Sequence, residues 1–585
     1  MYFVLGQLVR RKLLIMKSRF LSRTRFLSFL FILVALLLVV RLYFVQIVDG
    51  DAYEREALGQ YAIPASQMDD RNDIFFKKKD GELVVAAVMQ SGWRVALQPK
   101  IIHDAVSVYE KLGGIVKLDK ERFFASAAKV NDPYEEIASR VLDDQALEIR
   151  KLSIPGVLLV QDKWRLYPAG KLASHAIGFV GYKGNNKVGV YGLERYWNDT
   201  LTKTTSSLYV NPFAEIFTNI ELLLANNPKS QEGDVITSIE PLVEQRLEET
   251  LAGVMKAYEP KIAGGIVMNP RTGEILALAA QPDFNPNTFN TVSNVSVFGN
   301  PLADNIYEMG SIMKPLTLAA ALDTGAITPE TTYDDKGFIM KSGKKVSNFD
   351  FKGRGVVNMQ TVLNESLNTG ASFAVDKMGH GVFSKYVHAY GLGEETGIDL
   401  PNEAVGRLAA IENGTDVDFA SASFGQGIAV TPVEMVRALS ALANGGLLPE
   451  PHIVAGVRNK TGVVRNIALP IQKQVLKPET AETMSAMLTT VYDKALLGGT
   501  LKQEHYSIAA KTGTAQIAIP GGGGYYGDRF LHSFFGYFPS HDPKFIIFLF
   551  AVEPQKEIYA SHTLAKPFLD ITKFLINYYN IPPDR

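Results

Sequence analysis

Three short motifs follow one another along the chain: Ser311-Ile312-Met313-Lys314, then Ser366-Leu367-Asn368, then Lys511-Thr512-Gly513-Thr514. Together they supply a hydroxyl nucleophile, an amine three residues from it, a polar bridge, and a second amine beside a glycine. That set suffices for acyl transfer through a serine ester, in which an activated hydroxyl takes an acyl group and later passes it on. The order carries the information, because the pieces recur alone. Ser342-Gly343-Lys344-Lys345 is another Ser-x-x-Lys, and Lys460-Thr461-Gly462 another Lys-Thr-Gly. The first lies in a glycine-broken basic stretch without helical period. The second, flanked by Asn459 and Val463, reads as a hairpin turn between two short strands. Neither is taken as a site.

The elements around Ser311 are of another kind. Pro315 is tolerated only in the first turn of a helix, and Leu316 through Asp323 is rich in helix formers before Gly325 ends the run. A helix therefore starts close to Ser311–Lys314, and a separation of three stacks the two side chains on one face, within hydrogen-bond reach. A serine at a helix start also offers its own N–H to a developing oxyanion. For Lys314 to act as a base near pH 7 its pKa must fall well below about 10.4, which burial and a second cation both achieve. Lys511 is that cation if the third motif folds beside the first. Tyr506 through Ile517 reads as a strand, and its period of two puts Thr512 and Thr514 on one face, where two hydroxyls could hold a carboxylate. Gly513 is expected to clear room for an acyl group along the backbone. The Thr514 N–H is the candidate second oxyanion donor.

With these residues the chain resembles a class B penicillin-binding protein, a monofunctional peptidoglycan D,D-transpeptidase of the division or elongation type. Further stretches carry the likeness. Gly264 to Leu278 resembles the paired strands that open that catalytic domain. Tyr307 to Pro315 resembles its nucleophile segment, with Met309 where proline is usual. Ser423-Phe424-Gly425-Gln426-Gly427 and His532 to Pro539 are similar to the stretches before and after the third motif. The resemblance implies an α+β fold: a penicillin-binding/serine β-lactamase-like transpeptidase domain, an antiparallel sheet flanked by helices, over residues 233–585. Before it, residues 49–232 would form a mixed, non-catalytic pedestal. The implied roles are Ser311 as acylated nucleophile and Lys314 as its base. Ser366 and Asn368 line the cleft, and Lys511, Thr512, Gly513 and Thr514 bind the terminal D-alanine. No cofactor or metal is implied. Partners are the stem peptides of nascent peptidoglycan, β-lactams that acylate Ser311, and a membrane glycan polymerase.

Composition agrees with an envelope enzyme. The 585 residues are 46% hydrophobic and include no cysteine, which excludes disulfides and thiolate metal sites. The net charge is −1, but residues 1–25 hold seven basic side chains and no acid, leaving 53 basic against 61 acidic groups elsewhere. That balance argues against nucleic acid as a partner and for a basic flank at a membrane. Residues 26–48 are apolar apart from Arg41 and Gln46 and two serines or tyrosines, a length that suits a single transmembrane anchor of about 20 residues. No small-residue cleavage site follows. The positive-inside rule places residues 1–25 in the cytoplasm and the catalytic part outside a bacterial cytoplasmic membrane. Met16 is an alternative start, and Ile581-Pro582-Pro583-Asp584-Arg585 leaves no room for an appended domain.

In the pedestal, Gly92 to Leu97 reads as a strand and Tyr134 to Leu142 as an amphipathic helix. Trp164 to Gly170, Ile177 to Gly181 and Gly192-Leu193-Glu194 resemble the family's non-catalytic region. Asp70 to Gly81 stands where an arginine-glycine-led strand and turn is expected. Gly521 to Gly524 lacks the Lys-Ser/Thr and helix of a phosphate loop and reads as a hairpin bordering the cleft. A D,D-carboxypeptidase or β-lactamase would use the same motifs with water as acceptor, and a non-catalytic β-lactam-binding scaffold or sensor would keep the fold alone. These stay as alternatives to the transpeptidase.

Overall fold

The computed structural model describes residues 32–43, 70–184, 186–203, 232–468, 470–522 and 524–585. Residues 32–43 are a helix, exposed along its length. No helix among the described residues is long and apolar enough to cross a membrane. The basic segment 1–25, residues 26–31 and 44–48 of the expected anchor, and residues 49–69 and 204–231 of the expected pedestal lie outside the described residues.

From residue 70 onward the chain builds two principal sheets. In the first, β1 (Ile74–Lys77) and β2 (Leu83–Leu97) pair as an antiparallel hairpin. The turn between them needs Gly81, whose φ is +88°. Two helices follow, α1 (Ala105–Gly113) and α2 (Lys120–Ala127). Each starts at an aspartate, Asp104 or Asp119, whose side chain accepts the backbone N–H three residues on. Strands β3 (Glu135–Val141) and β4 (Val157–Leu166) both pair with the long β2. Val95, Leu97, Leu112, Phe123 and Ile137 close a small core between sheet and helices.

Strand β3 corrects the helix expected over 134–142. Ile137 and Val141 are four apart, a spacing shared by one helix face and one strand face, and they are the buried positions of this strand. β-Branched side chains and an available neighbour in β2 settled the choice. The sheet then continues through β5 (Asp234–Thr237), parallel to β1, to the strands Val454–Arg458 and Val464–Asn466. It therefore joins chain from the expected pedestal to chain from the expected catalytic part. Lys460-Thr461-Gly462 is the turn between those last strands, as its sequence indicated.

A buried ion cluster ties the early segments together. Glu194 is fully buried and accepts from Arg71 Nε and Arg165 Nε, each at 2.6 Å. Arg71 also donates to Asn198 and Thr202. The arginine at the head of the unusual Asp70–Gly81 stretch is thus an internal tie.

The second sheet has five strands, all antiparallel, in the order β8-β9-β10-β6-β7, with β6 (Ile262–Met268), β7 (Ile275–Gln281), β8 (Ala509–Ala518), β9 (Tyr525–Phe538) and β10 (Phe545–Val552). The run Phe545 to Ala551 has no polar side chain on either face and is buried throughout, as a central strand covered on both sides requires. One face packs on the helices α3 (Pro241–Tyr258) and, at the end of the chain, Ala560–Tyr578. There Phe568 stacks on Phe534 at 4.5 Å, and a Cβ on Gly536 would stand 2.5 Å from that ring. The opposite face receives a 3₁₀ turn, Gly310–Met313, that runs directly into α4 (Lys314–Asp323). This is the helix start read from Pro315. Strand β8 is an edge of the sheet, so the Lys511 motif lies on a border with no further strand beyond it among the described residues.

Candidate active site

The 3₁₀ turn holds Ser311 half-buried and delivers Lys314 into the interior, where its side chain is fully buried. The turn reaches the sheet by close backbone approach. Gly310 donates its N–H to Gly425 O at 3.1 Å, and its missing side chain leaves space for Thr514 and Ala515. Ser533, on β9, donates its hydroxyl to Met309 O at 2.8 Å and fastens the turn from below.

Gly513 is needed for a different reason from the one expected. A Cβ there would lie 2.4 Å from Ser533 Oγ, 2.6 Å from Met309 O and 3.1 Å from Ile312 N. The glycine makes room for the nucleophile turn itself. It is what lets the first and third motifs touch.

Ser366 precedes α5 (Asn368–Met378) and adopts a left-handed backbone, φ +54°. Such a conformation in a non-glycine residue is held only by its surroundings. Here the Ser366 and Leu367 N–H groups are bound to Leu363 O and Val362 O. The result is that Ser366 presents both its carbonyl and its hydroxyl to Lys314 Nζ, at 2.5 and 3.1 Å. The same hydroxyl oxygen accepts Lys511 Nζ at 3.0 Å, and Lys511 also donates to Thr512 O. Two amines therefore share one serine. The hydrogen bonds of Lys314 in this structure run to Ser366, where the sequence reading had paired it with Ser311. The side chain of Phe424 adds an apolar wall, its ring centre 5.9 Å from Lys314 Nζ.

This crowding sets the charges. Burial, and then the neighbouring Lys511 cation, hold the Lys314 amine well below the usual lysine range. Burial alone brings Lys511 down to about 7. Both causes inferred for Lys314 from the sequence are present.

Along β8, Lys511, Gly513 and Ala515 are buried while Thr512 and Thr514 are more open, the period-two pattern expected of the strand. Thr514 Oγ1 accepts the N–H of Ala560, at the start of the last helix, at 3.1 Å. Accepting there leaves the hydroxyl proton available to donate. Asn368 donates its side-chain amide to Ser347 O at 2.9 Å, on the hairpin Phe338–Lys341/Lys344–Ser347. That hairpin contains the second Ser-x-x-Lys, with Ser342 and Gly343 at its turn, both at positive φ. Ser342 has no helix start and no buried amine. Ser533 and Phe424 were within quoted segments but had no assigned role. Ser533 acts by its hydroxyl on Met309 O and Phe424 by its ring near Lys314, tertiary contacts that spacing does not reveal. No cluster of metal-ligating side chains occurs among the described residues.

Comparison with known proteins follows this geometry. The profile described as penicillin binding protein transpeptidase domain matches residues 263–573, more than half of the chain. The chain belongs to that family. A second profile, penicillin-binding protein dimerisation domain, matches residues 79–213. Stage V sporulation protein D of Bacillus subtilis is 28% identical over 547 residues, covering 92% of this chain and 82% of its own length. Peptidoglycan D,D-transpeptidase FtsI of Buchnera aphidicola is 26% identical over 570 residues, with 95% and 94% covered. Among solved structures, penicillin binding protein 2X of Streptococcus thermophilus superposes with a TM-score of 0.70 at 21% identity, covering 88% of this chain and 80% of that one. Penicillin binding protein 3 of Mycobacterium tuberculosis, complexed with aztreonam, gives 0.68 at 21% identity, covering 88% and 98%. The likeness establishes the shared fold, a mixed α+β transpeptidase domain preceded by the dimerisation region.

Proposed function

We propose that this chain is a serine-type peptidoglycan D,D-transpeptidase that cross-links stem peptides through an ester on Ser311. The observation that carries the reading is the hydroxyl of Ser366 held between the amines of Lys314 and Lys511, with Ser311 on the turn that opens α4. A neutral Lys314 has a lone pair to accept the Ser311 proton, directly or through Ser366. The Ser311 oxygen then attacks the carbonyl between two terminal D-alanines. Proton return through Ser366 lets D-alanine leave. In a second step an amine of a neighbouring stem peptide takes the acyl group from Ser311. Lys511, with the hydroxyls of Thr512 and Thr514, binds the terminal carboxylate. The N–H groups of Ser311 and Thr514 receive the oxyanion. One such donor typically contributes about 10²–10³ in rate. The outer edge of β8 faces no further strand among the described residues, so an extended peptide can lie along it.

Asn368 contacts the donor peptide amide in this reading, and β-lactams acylate Ser311 as donor mimics. The domain limits 49–232 and 233–585, an anchor over 26–48 that spans a bacterial cytoplasmic membrane once with residues 1–25 inside, and a glycan polymerase partner belong to the same proposal. The charge asymmetry and apolar run of the N-terminal segment support the topology.

Labelling with a fluorescent penicillin tests the assignment. Wild type and Ser342→Ala are expected to label, and Ser311→Ala to remain dark. Equal labelling of Ser311→Ala and wild type removes Ser311 as nucleophile. Release of D-alanine with no cross-linked product marks a hydrolase.

A further inference from the structure

Two buried polar atoms in the wall beside the nucleophile have no hydrogen-bond partner among the described residues: Glu308 Oε2 and Gln426 Nε2. Glu308 stands three residues before Ser311. Gln426 follows Gly425, whose carbonyl accepts the Gly310 N–H. The Gly427 amide, next in the chain, acts on the Glu308 carboxyl, which brings Gln426 to the same wall. The other carboxyl oxygen, Oε1, accepts the Tyr525 hydroxyl at 3.3 Å. Tyr525 opens β9, immediately after a turn where Gly521, Gly522 and Gly524 all have positive φ. Its side chain is exposed, at the end of this glycine-rich hairpin.

The acylation chemistry uses none of these groups. A buried acceptor and a buried donor left open are costly to maintain, and native structures hold few of them. One of each, the acceptor on the nucleophile segment and the donor on the stretch that accepts the Gly310 N–H, fits a ligand that brings both a cation and a carbonyl. Burial pushes the Glu308 carboxyl up, against the Tyr525 hydroxyl and the Gly427 amide.

We propose that Glu308, with Gln426 beside it, forms the subsite for the attacking amine of the second stem peptide. The inference rests on the transpeptidase reading and deepens it. That amine is an ammonium at neutral pH and must be bound and deprotonated before it can attack. When Tyr525 lifts, the Glu308 carboxylate takes the ammonium, and Gln426 Nε2 donates to a carbonyl of the same peptide. One proton passes from the ammonium to Glu308. The neutral nitrogen forms the new C–N bond to the acyl carbon, the bond from that carbon to Ser311 Oγ breaks, and the nitrogen's second surplus proton returns to Ser311 Oγ.

The test separates the two halves of the reaction in the full-length chain. Fluorescent penicillin reads acylation. An N-acyl-D-alanyl thioester with D-alanine as amine reads partition of the acyl-enzyme between amide product and hydrolysis. Glu308→Gln is expected to acylate within twofold of wild type, while its amide-to-hydrolysis ratio falls at least tenfold. Glu308→Asp should recover part of that ratio, and Tyr525→Phe should stay within threefold of wild type. An unchanged ratio in Glu308→Gln overturns the proposal. So does a loss of acylation in that variant, which would mark a role in shaping the nucleophile turn, or a Tyr525→Phe variant that reproduces its defect. Should Glu308→Gln fail to fold, Gln426→Leu decides: a raised KM for the amine supports the subsite, and an unchanged KM refutes it. A wild type that forms the penicillin adduct but never an amide sinks the transpeptidase reading itself, before any variant is compared.

Discussion

Replacing Gly513 by alanine tests whether contact between the first and third motifs is what assembles this site. The new methyl would meet two backbone atoms, Met309 O at 2.6 Å and Ile312 N at 3.1 Å, besides Ser533 Oγ at 2.4 Å. Ser533 can rotate, at the cost of its bond to Met309 O; the backbone cannot. Bringing Met309 O from 2.6 Å to an ordinary 3.4 Å contact moves the nucleophile turn and β8 apart by roughly 0.8 Å. A displacement of about 1 Å at reacting groups costs on the order of 10²-fold in rate. Overpacking of this kind typically destabilises by about 1–3 kcal/mol, which leaves a folded protein. Gly513→Ala should therefore show a penicillin acylation rate about 100-fold lower, measured by time-resolved fluorescent labelling, with a cooperative thermal unfolding transition retained. Acylation within threefold of wild type, with the unfolding temperature unchanged, would refute the view that this glycine exists to admit the nucleophile turn.

Other expectations follow from the charges and the ties. Lys511→Ala should cut acylation sharply while leaving the fold intact, because the Ser366 hydroxyl loses one of its two amines; unchanged kinetics in labelling assays would remove Lys511 from the site. In the free enzyme Lys511 loses its charge as pH rises through about 7, so the acylation rate constant for a carboxylate-bearing penicillin should decline above that pH, and Lys511→Ala should flatten that limb. Burial holds both His175 and His532 at about 4 against an ordinary 6.5, so each stays neutral in the folded state while the unfolded chain takes up a proton. Stability should thus fall as pH drops from 6.5 towards 4, by up to about 3 kcal/mol per histidine, and His532→Gln should show a smaller drop in unfolding temperature between pH 7 and 5. Glu194→Ala leaves Arg71 and Arg165 buried without their shared carboxylate. A loss of about 3–5 kcal/mol in denaturant unfolding is expected, and a change under 1 kcal/mol would contradict the assignment of this cluster as an internal tie.

Much of the catalytic region was legible in the order of letters, because its signals are local. Pro315 announces a helix start, and the structure has the 3₁₀ turn and α4 there. The alternation around Lys511 announces a strand, and Phe545 to Ala551 has the composition of a central one. The two decoy motifs were separable on the same grounds, since both fall at hairpin turns. The segment 134–142 was misread because Ile137 and Val141 fit either period, and a partner strand far away in sequence chose between them.

The residue types and spacing by themselves determined that a nucleophile, two amines and an amide were available, and that the first two lie one helical turn apart. They also settled the helix start at Pro315 and the strand around Lys511, since proline placement and hydrophobic period act over a few residues. Only the tertiary structure decided that Lys314 bonds to Ser366 rather than to Ser311, that Gly513 serves the nucleophile turn, and that the Thr514 hydroxyl accepts from Ala560. Those outcomes depend on which of several polar groups comes within about 3 Å of another. Such distances are set by the packing of segments 46 to 204 residues apart, and no local pattern records them.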